Sequence, residues 1–230
     1  MQIKRKMETI NEDFYKAEGL LDLIKICGDS KLKPRRLWLR RLALLENLNN
    51  YYRFAVGSVR LFQESFNKNL ELISKGEGTK DNFDDESHSS ALSFYSHGRV
   101  CIESSRLLSD EAIFYTNNEK KAEALQEHRD KYAAWARDII EKRNEIVAHP
   151  HNTRKMITGS PNSWGSSGEL TFFTVDLEHI TIKHDEYKLE PIKNLKELKN
   201  YIEETIAHLS LIWGINFTSK TQSLISSEEM

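Results

Sequence analysis

Apolar residues recur at helical spacing along most of this chain, and five segments stand out. Between Glu8 and Cys27, the residues Ile10, Phe14, Ala17, Leu20, Leu21 and Ile24 share one face, and Gly28-Asp29-Ser30 marks the stop. From Arg35 to about Ser74, a stripe through Leu42, Leu45, Leu48, Tyr52, Ala55, Val59, Phe62, Phe66 and Leu70 keeps the period over many turns; Gly57 in its middle would permit a bend or a close neighbour. A third helix is predicted from about Glu86 to Tyr115, after a polar, Gly-containing connection between Lys75 and Asp85. In the fourth, Leu125, Tyr132, Ile139 and Ile146 recur every seventh residue, with His128, Trp135, Lys142 and His149 offset by three. The last runs from Asn194 through Leu195, Leu198, Ile202, Ile206, Leu209 and Trp213, with Gly214 where a helix stop is expected.

Two stretches break the helical period. Pro150 to Gly168 is long and irregular, and loops of that length are usually functional or disordered. Leu170–Val175 and His179–Lys183 carry β-branched and aromatic residues in partial alternation, which predicts a small hairpin over about 170–183. The expected fold is all-α: an antiparallel, up-and-down helical bundle in one domain over 1–217, with the hairpin as an appendage before the last helix. Residues 218–230 are expected to form a disordered tail.

Polar residues intrude on two of the helices. The middle of the third carries Ser93, Ser96, His97, Arg99, Glu103, Ser104 and Ser105, more than a purely structural helix requires. At ~100° per residue from Ile139, Arg143 lies at about +40° and His149 at about −80°, flanking the apolar seam, while Asn144 falls near 140°. Pro150 disfavours helical dihedrals at His149, so the helix is expected to end near Ala148 with the imidazole at its frayed end. The negative end of the helix dipole there favours the imidazolium, and nearby Arg143 opposes it.

Arg143-Asn144, four intervening residues and His149, at the end of a long amphipathic helix, resemble the Arg-Asn form of the Arg-x(4–6)-His signature of the HEPN superfamily of all-helical domains. As architecture the resemblance covers about residues 35–215. It implies a metal-independent endoribonuclease acting as a homodimer, with two motif helices facing each other across a composite cleft. Carried onto this chain, His149 would serve as general base or acid for attack of a ribose 2′-hydroxyl on the adjacent phosphorus. Arg143 would stabilise charge on the phosphate with its planar fork, and Asn144 would orient backbone or substrate. Toxin or phage-defence biology, and restraint by an antitoxin or regulatory protein, also come from resemblance.

Around the motif, Glu103 is the expected carboxylate partner of Arg143, with His97 as a second candidate contact. In the loop beside His149, Arg154 and Lys155 are candidates to meet phosphates and Trp164 to stack a base. The cluster Lys31, Lys33, Arg35, Arg36, Arg40 and Arg41 is a further candidate RNA contact, against the alternative of a solvated face. The competing reading is a catalytically silent helical module for dimerisation, nucleotide or RNA binding, or partner binding, in which Arg143 and His149 stabilise a dimer or bind a nucleotide; a purely structural alternative has the two side chains cap carbonyls or pair with a carboxylate inside the bundle.

Composition narrows the remaining classes. With 230 residues, 39% hydrophobic, 30% charged, only four prolines and a net charge of −2, the chain suits one helix-rich domain and not a general nucleic-acid coat protein, so any RNA contact must be local. No stretch approaches the ~20 apolar residues of a membrane span, and the first residues are charged rather than signal-like, so a cytoplasmic protein is expected. Cys27 and Cys101 lack metal-ligand or disulfide spacing, and His149-Pro150-His151 lacks further close ligands, so no metal and no cofactor are predicted. There is no phosphate-cradling Gly-rich loop and no Gly-x-Ser-x-Gly elbow.

Overall fold

The computed structural model describes residue 10 and residues 12–29, 31–75, 85–144, 182–184 and 187–215. Within them lie helices α1 (Leu20–Cys27), α2 (Arg35–Lys75), α3 (Asp85–Tyr115), α4 (Glu119–Lys142) and α5 (Pro191–Trp213), with strands β1 (Ile182–His184) and β2 (Tyr187–Leu189) before α5. The protein is helical, as expected. No helix among the described residues is long and apolar enough to cross a membrane.

The boundaries follow local chemistry. Asn118 caps α4, its side chain accepting from the Lys121 amide at 3.1 Å, and Pro191 opens α5 where a missing N–H costs nothing. Gly214, at φ 67, closes α5 in a Schellman arrangement: Ile215 N donates to Ser210 O at 2.8 Å and Gly214 N to Leu211 O at 3.4 Å. The single helix expected over Glu8–Cys27 is corrected among the described residues to a 3-10 turn at Glu12–Tyr15 and the separate α1. Gly19, at φ 75, sits in the left-handed region between them and interrupts the apolar period.

Cross-helix pairs fix how the long helices run. Ser58 meets His97, Asn47 meets Ser104 and Arg41 meets Glu111, so α2 and α3 are antiparallel. Arg129 meets Asp110 and Asn144 meets Arg99, so α4 runs against α3. His128 meets Thr205 and Trp135 meets Asn194, so α5 runs against α4. The shared core holds Tyr52, Val59 and Phe62 of α2, Phe94, Ile102 and Leu108 of α3, Leu125 and Ile139 of α4, and Leu198, Ile202 and Ile206 of α5, all buried. Each such aliphatic or aromatic side chain contributes about 1.5–3 kcal/mol on burial.

One member of the expected basic RNA-contact cluster belongs to this core. Arg41 is buried, pairs through Nε with both carboxylate oxygens of Glu111 at 3.0 and 3.1 Å, and lies 4.4 Å from the ring centroids of Trp38 and Trp213. A guanidinium so enclosed joins α2, α3 and α5 and cannot reach a nucleic acid.

The strands pair antiparallel, Ile182 opposite Leu189 and His184 opposite Tyr187. β2 leads directly into α5 and is tied to α3, since Tyr95 Oη accepts from Glu190 N and Asn194 Nδ2, both at 3.0 Å. Of the hairpin expected over 170–183, only 182 and 183 fall within the described residues. The irregular stretch 150–168 and the expected tail 218–230 lie outside them.

Candidate functional site

The last two described residues of the α4 region are Arg143 and Asn144, in a widened, π-type turn. They reach α3 because of the packing one turn earlier. Ile139 is buried over Gly98, where a Cβ built on the glycine would stand 3.6 Å from Ile139 Cγ2. Arg143 follows Ile139 by one turn on the same face, and Arg99 follows Gly98 directly, so this crossing delivers two arginines to one place.

Asn144 holds them together. Its Oδ1 accepts from Arg99 Nη1 at 2.7 Å and from Arg143 Nη1 at 3.3 Å. Glu103 lies one turn along α3 and takes Arg99 Nε at 2.7 Å. The expected pairing of Glu103 with Arg143 is therefore replaced: the carboxylate binds Arg99, and its link to the motif runs through that guanidinium and Asn144. Among the described residues no carboxylate pairs with Arg143. Lys142, beside it in sequence, is offset by Asp138 at 2.7 Å.

His97 faces elsewhere. Its Nδ1 lies 3.2 Å from Ser58 Oγ, and its ring packs 6.0 Å from Tyr51 and 5.5 Å from Phe54, centroid to centroid. Ser58 Oγ also donates to Phe54 O at 2.9 Å. Burial lowers the His97 pKa, in keeping with a neutral ring. His97 thus braces α3 against α2 instead of supporting Arg143. His149, Arg154, Lys155 and Trp164 lie outside the described residues.

Arg99 was not among the predicted site residues. Its signal was the Arg-x-x-x-Glu spacing of Arg99 and Glu103, which places the two side chains on one helical face. What the sequence did not carry was the neighbour across the interface, Asn144.

A second polar centre sits between α4 and α5. Glu204 accepts from Tyr132 Oη at 2.8 Å and from Lys131 Nζ at 2.9 Å, and pairs with buried His128 at 3.2 Å. A cleft of about 800 Å³ lies among Glu12, Tyr15, Lys16, Arg60, Lys199 and Glu203, and Arg143, Asn144, Glu103 and His97 do not line it. Among the described residues no group of His, Cys, Asp and Glu could hold a metal ion. Both cysteines are buried, and burial pushes the Cys27 thiol up to about 11, far from a reactive thiolate.

Compared with known protein families, with curated proteins and with solved structures, the chain finds no match.

Proposed function

We propose that the chain is a HEPN-like up-and-down helical bundle acting as a metal-independent endoribonuclease, as a homodimer with a composite site. The observation that supports this best is Arg143: a guanidinium at the end of α4, half-buried, with no carboxylate among the described residues and an Asn beside it on the motif's own spacing. A cation with no carboxylate partner among the described residues, in a partly desolvated position, suits an anionic substrate group. His149 would take the proton of a ribose 2′-hydroxyl as its oxygen bonds to phosphorus. The P–O5′ bond breaks, the leaving oxygen is protonated, and the products are a 2′,3′-cyclic phosphate and a 5′-hydroxyl end. Arg154, Lys155 and Trp164 would contact the RNA chain. Toxin or phage-defence work, restrained by an antitoxin or regulatory protein, is the setting we assign.

A silent interaction module is the second reading, and exposed Phe54, Leu61 and Leu107 on the outer faces of α2 and α3 favour it. Labelled total RNA and tRNA, incubated with wild type and His149→Ala in EDTA, decide between them. Cleavage by wild type alone, with cyclic-phosphate ends, supports the nuclease; no cleavage by a folded dimer favours the module.

A further inference from the structure

The arrangement around Asn144 is one of hydrogen-bond donors. Its carbonyl oxygen is occupied by two guanidiniums, which fixes the amide orientation, because the NH2 group in that place could accept from neither. The Asn144 NH2 is thereby turned away from the oxygen, and it too can only donate. Arg99 commits Nε to Glu103 and Nη1 to Asn144, while Arg143 commits Nη1. Glu103 offsets one of the two positive charges. Its side chain is 46% exposed, whereas that of Arg99 is only 28% exposed, so the carboxylate is the better screened of the pair.

We propose that Arg99 is a second phosphate-binding residue, so that one phosphodiester of a nucleic-acid chain is held between Arg99 and Arg143, with the Asn144 amide donating to it. This names a ligand contact for the site proposed above and rests on that reading for the ligand being RNA. A phosphodiester presents two unesterified oxygens, one for each guanidinium. Glu103 is a positioning residue here: held one turn from Arg99, it aims the fork at Asn144 and leaves the outer N–H groups for the ligand.

The test separates binding from cleavage by using a DNA oligonucleotide, which has no 2′-hydroxyl to attack, alongside RNA of the same sequence. Fluorescence anisotropy over a range of salt gives affinity and the slope of log K against log salt for wild type, Arg99→Gln and Arg99→Lys. Loss of one phosphate contact lowers the slope by about 0.7 on a single strand. Arg99→Gln should show that drop and bind several-fold more weakly, whereas Arg99→Lys should keep the slope. Arg99→Lys also serves where Arg99→Gln fails to fold: a wild-type slope with weakened affinity supports the proposal, and fully wild-type affinity, which would show that the fork is unused, overturns it. An unchanged slope and affinity in folded Arg99→Gln, or no binding of either strand by wild type at low salt, overturns it. Arg99-dependent binding without RNA cleavage would retain this contact and remove the nuclease reading; cleavage with an Arg99-independent slope would do the reverse.

Discussion

His128 and Glu204 tie α4 to α5, with His128 Nδ1 3.2 Å from Glu204 Oε2. Thr205 Oγ1 lies 2.7 Å from Tyr201 O, to which it donates, and 2.9 Å from His128 Nε2. Glu204, a carboxylate, accepts at Nδ1. The His128 ring stacks on Tyr201 with an interplanar angle of 16°. Its side chain is 2% exposed and that of Glu204 25%. Glu204 serves His128, Lys131 and Tyr132 at once, so Glu204→Gln should destabilise by about 1–3 kcal/mol, read by urea unfolding. Nitrogen NMR should show a proton on His128 Nδ1, facing Glu204; an Nδ1 without one would contradict this pairing.

The same cluster makes the protein sensitive to acid. Burial, joined by the positive charge of His128, lowers His208 from 6.5 to about 4. Between those values the unfolded chain takes a proton that the folded one refuses, so stability is complete above pH 6.5 and falls as pH drops toward 4. Glu204 acts lower down. Burial would raise it, but hydrogen bonds from His128, Lys131 and Tyr132 outweigh that and hold it at about 2, so its contribution, present above the ordinary 4.5, is lost as pH falls through 2. Each group is worth on the order of 2 kcal/mol. Melting temperature followed from pH 7 to 3 should fall first in the His208 range, and His208→Gln should flatten that first segment.

His128 also shows what one sequence can and cannot carry. Its place on the buried stripe of α4 was legible from the seven-residue repeat, as were the spans of α2, α3 and α5, because periodicity is a local property of the chain. Its partners Glu204 and Thr205 stand some seventy residues away, and nothing local to His128 specifies them. Asn144 is the same case at the candidate site. A regular helix places it near 140° from the Ile139 seam by about 100° per residue, away from α3. The widened turn at Arg143 and Asn144 alters that progression, and Asn144 meets Arg99. Arg41 misled for a related reason. Its basic neighbours suggested a solvent-facing run, while Trp38, Glu111 and Trp213, which enclose it, come from three different helices.

Gly57 lies in the middle of α2, and a Cβ added there meets nothing within 4 Å. Close packing does not require a glycine at this position, and the helix bears the entropic cost of one. Gly57→Ala should therefore raise stability by about 0.5–1 kcal/mol without a change in activity or oligomeric state. Chemical denaturation of the two proteins checks this, and a loss of stability would mean that something covers the Gly57 face in solution.

Arg143→Lys tests the guanidinium as distinct from its charge. Lysine at this position keeps one positive charge, so the salt dependence of oligonucleotide binding should change little while affinity weakens modestly, as for Arg99→Lys. The flexible ammonium cannot donate to Asn144 Oδ1 and to two phosphate oxygens in one plane, as the fork of Arg143 would. If Arg143 also stabilises charge that develops on phosphorus, the larger loss falls on the turnover step: kcat for RNA cleavage should drop by roughly 100-fold, well beyond the change in affinity. Single-turnover cleavage beside an anisotropy titration reads the two effects apart. Full activity in Arg143→Lys would remove the proposed phosphate role, while an equal fall in affinity and rate would place Arg143 in binding alone.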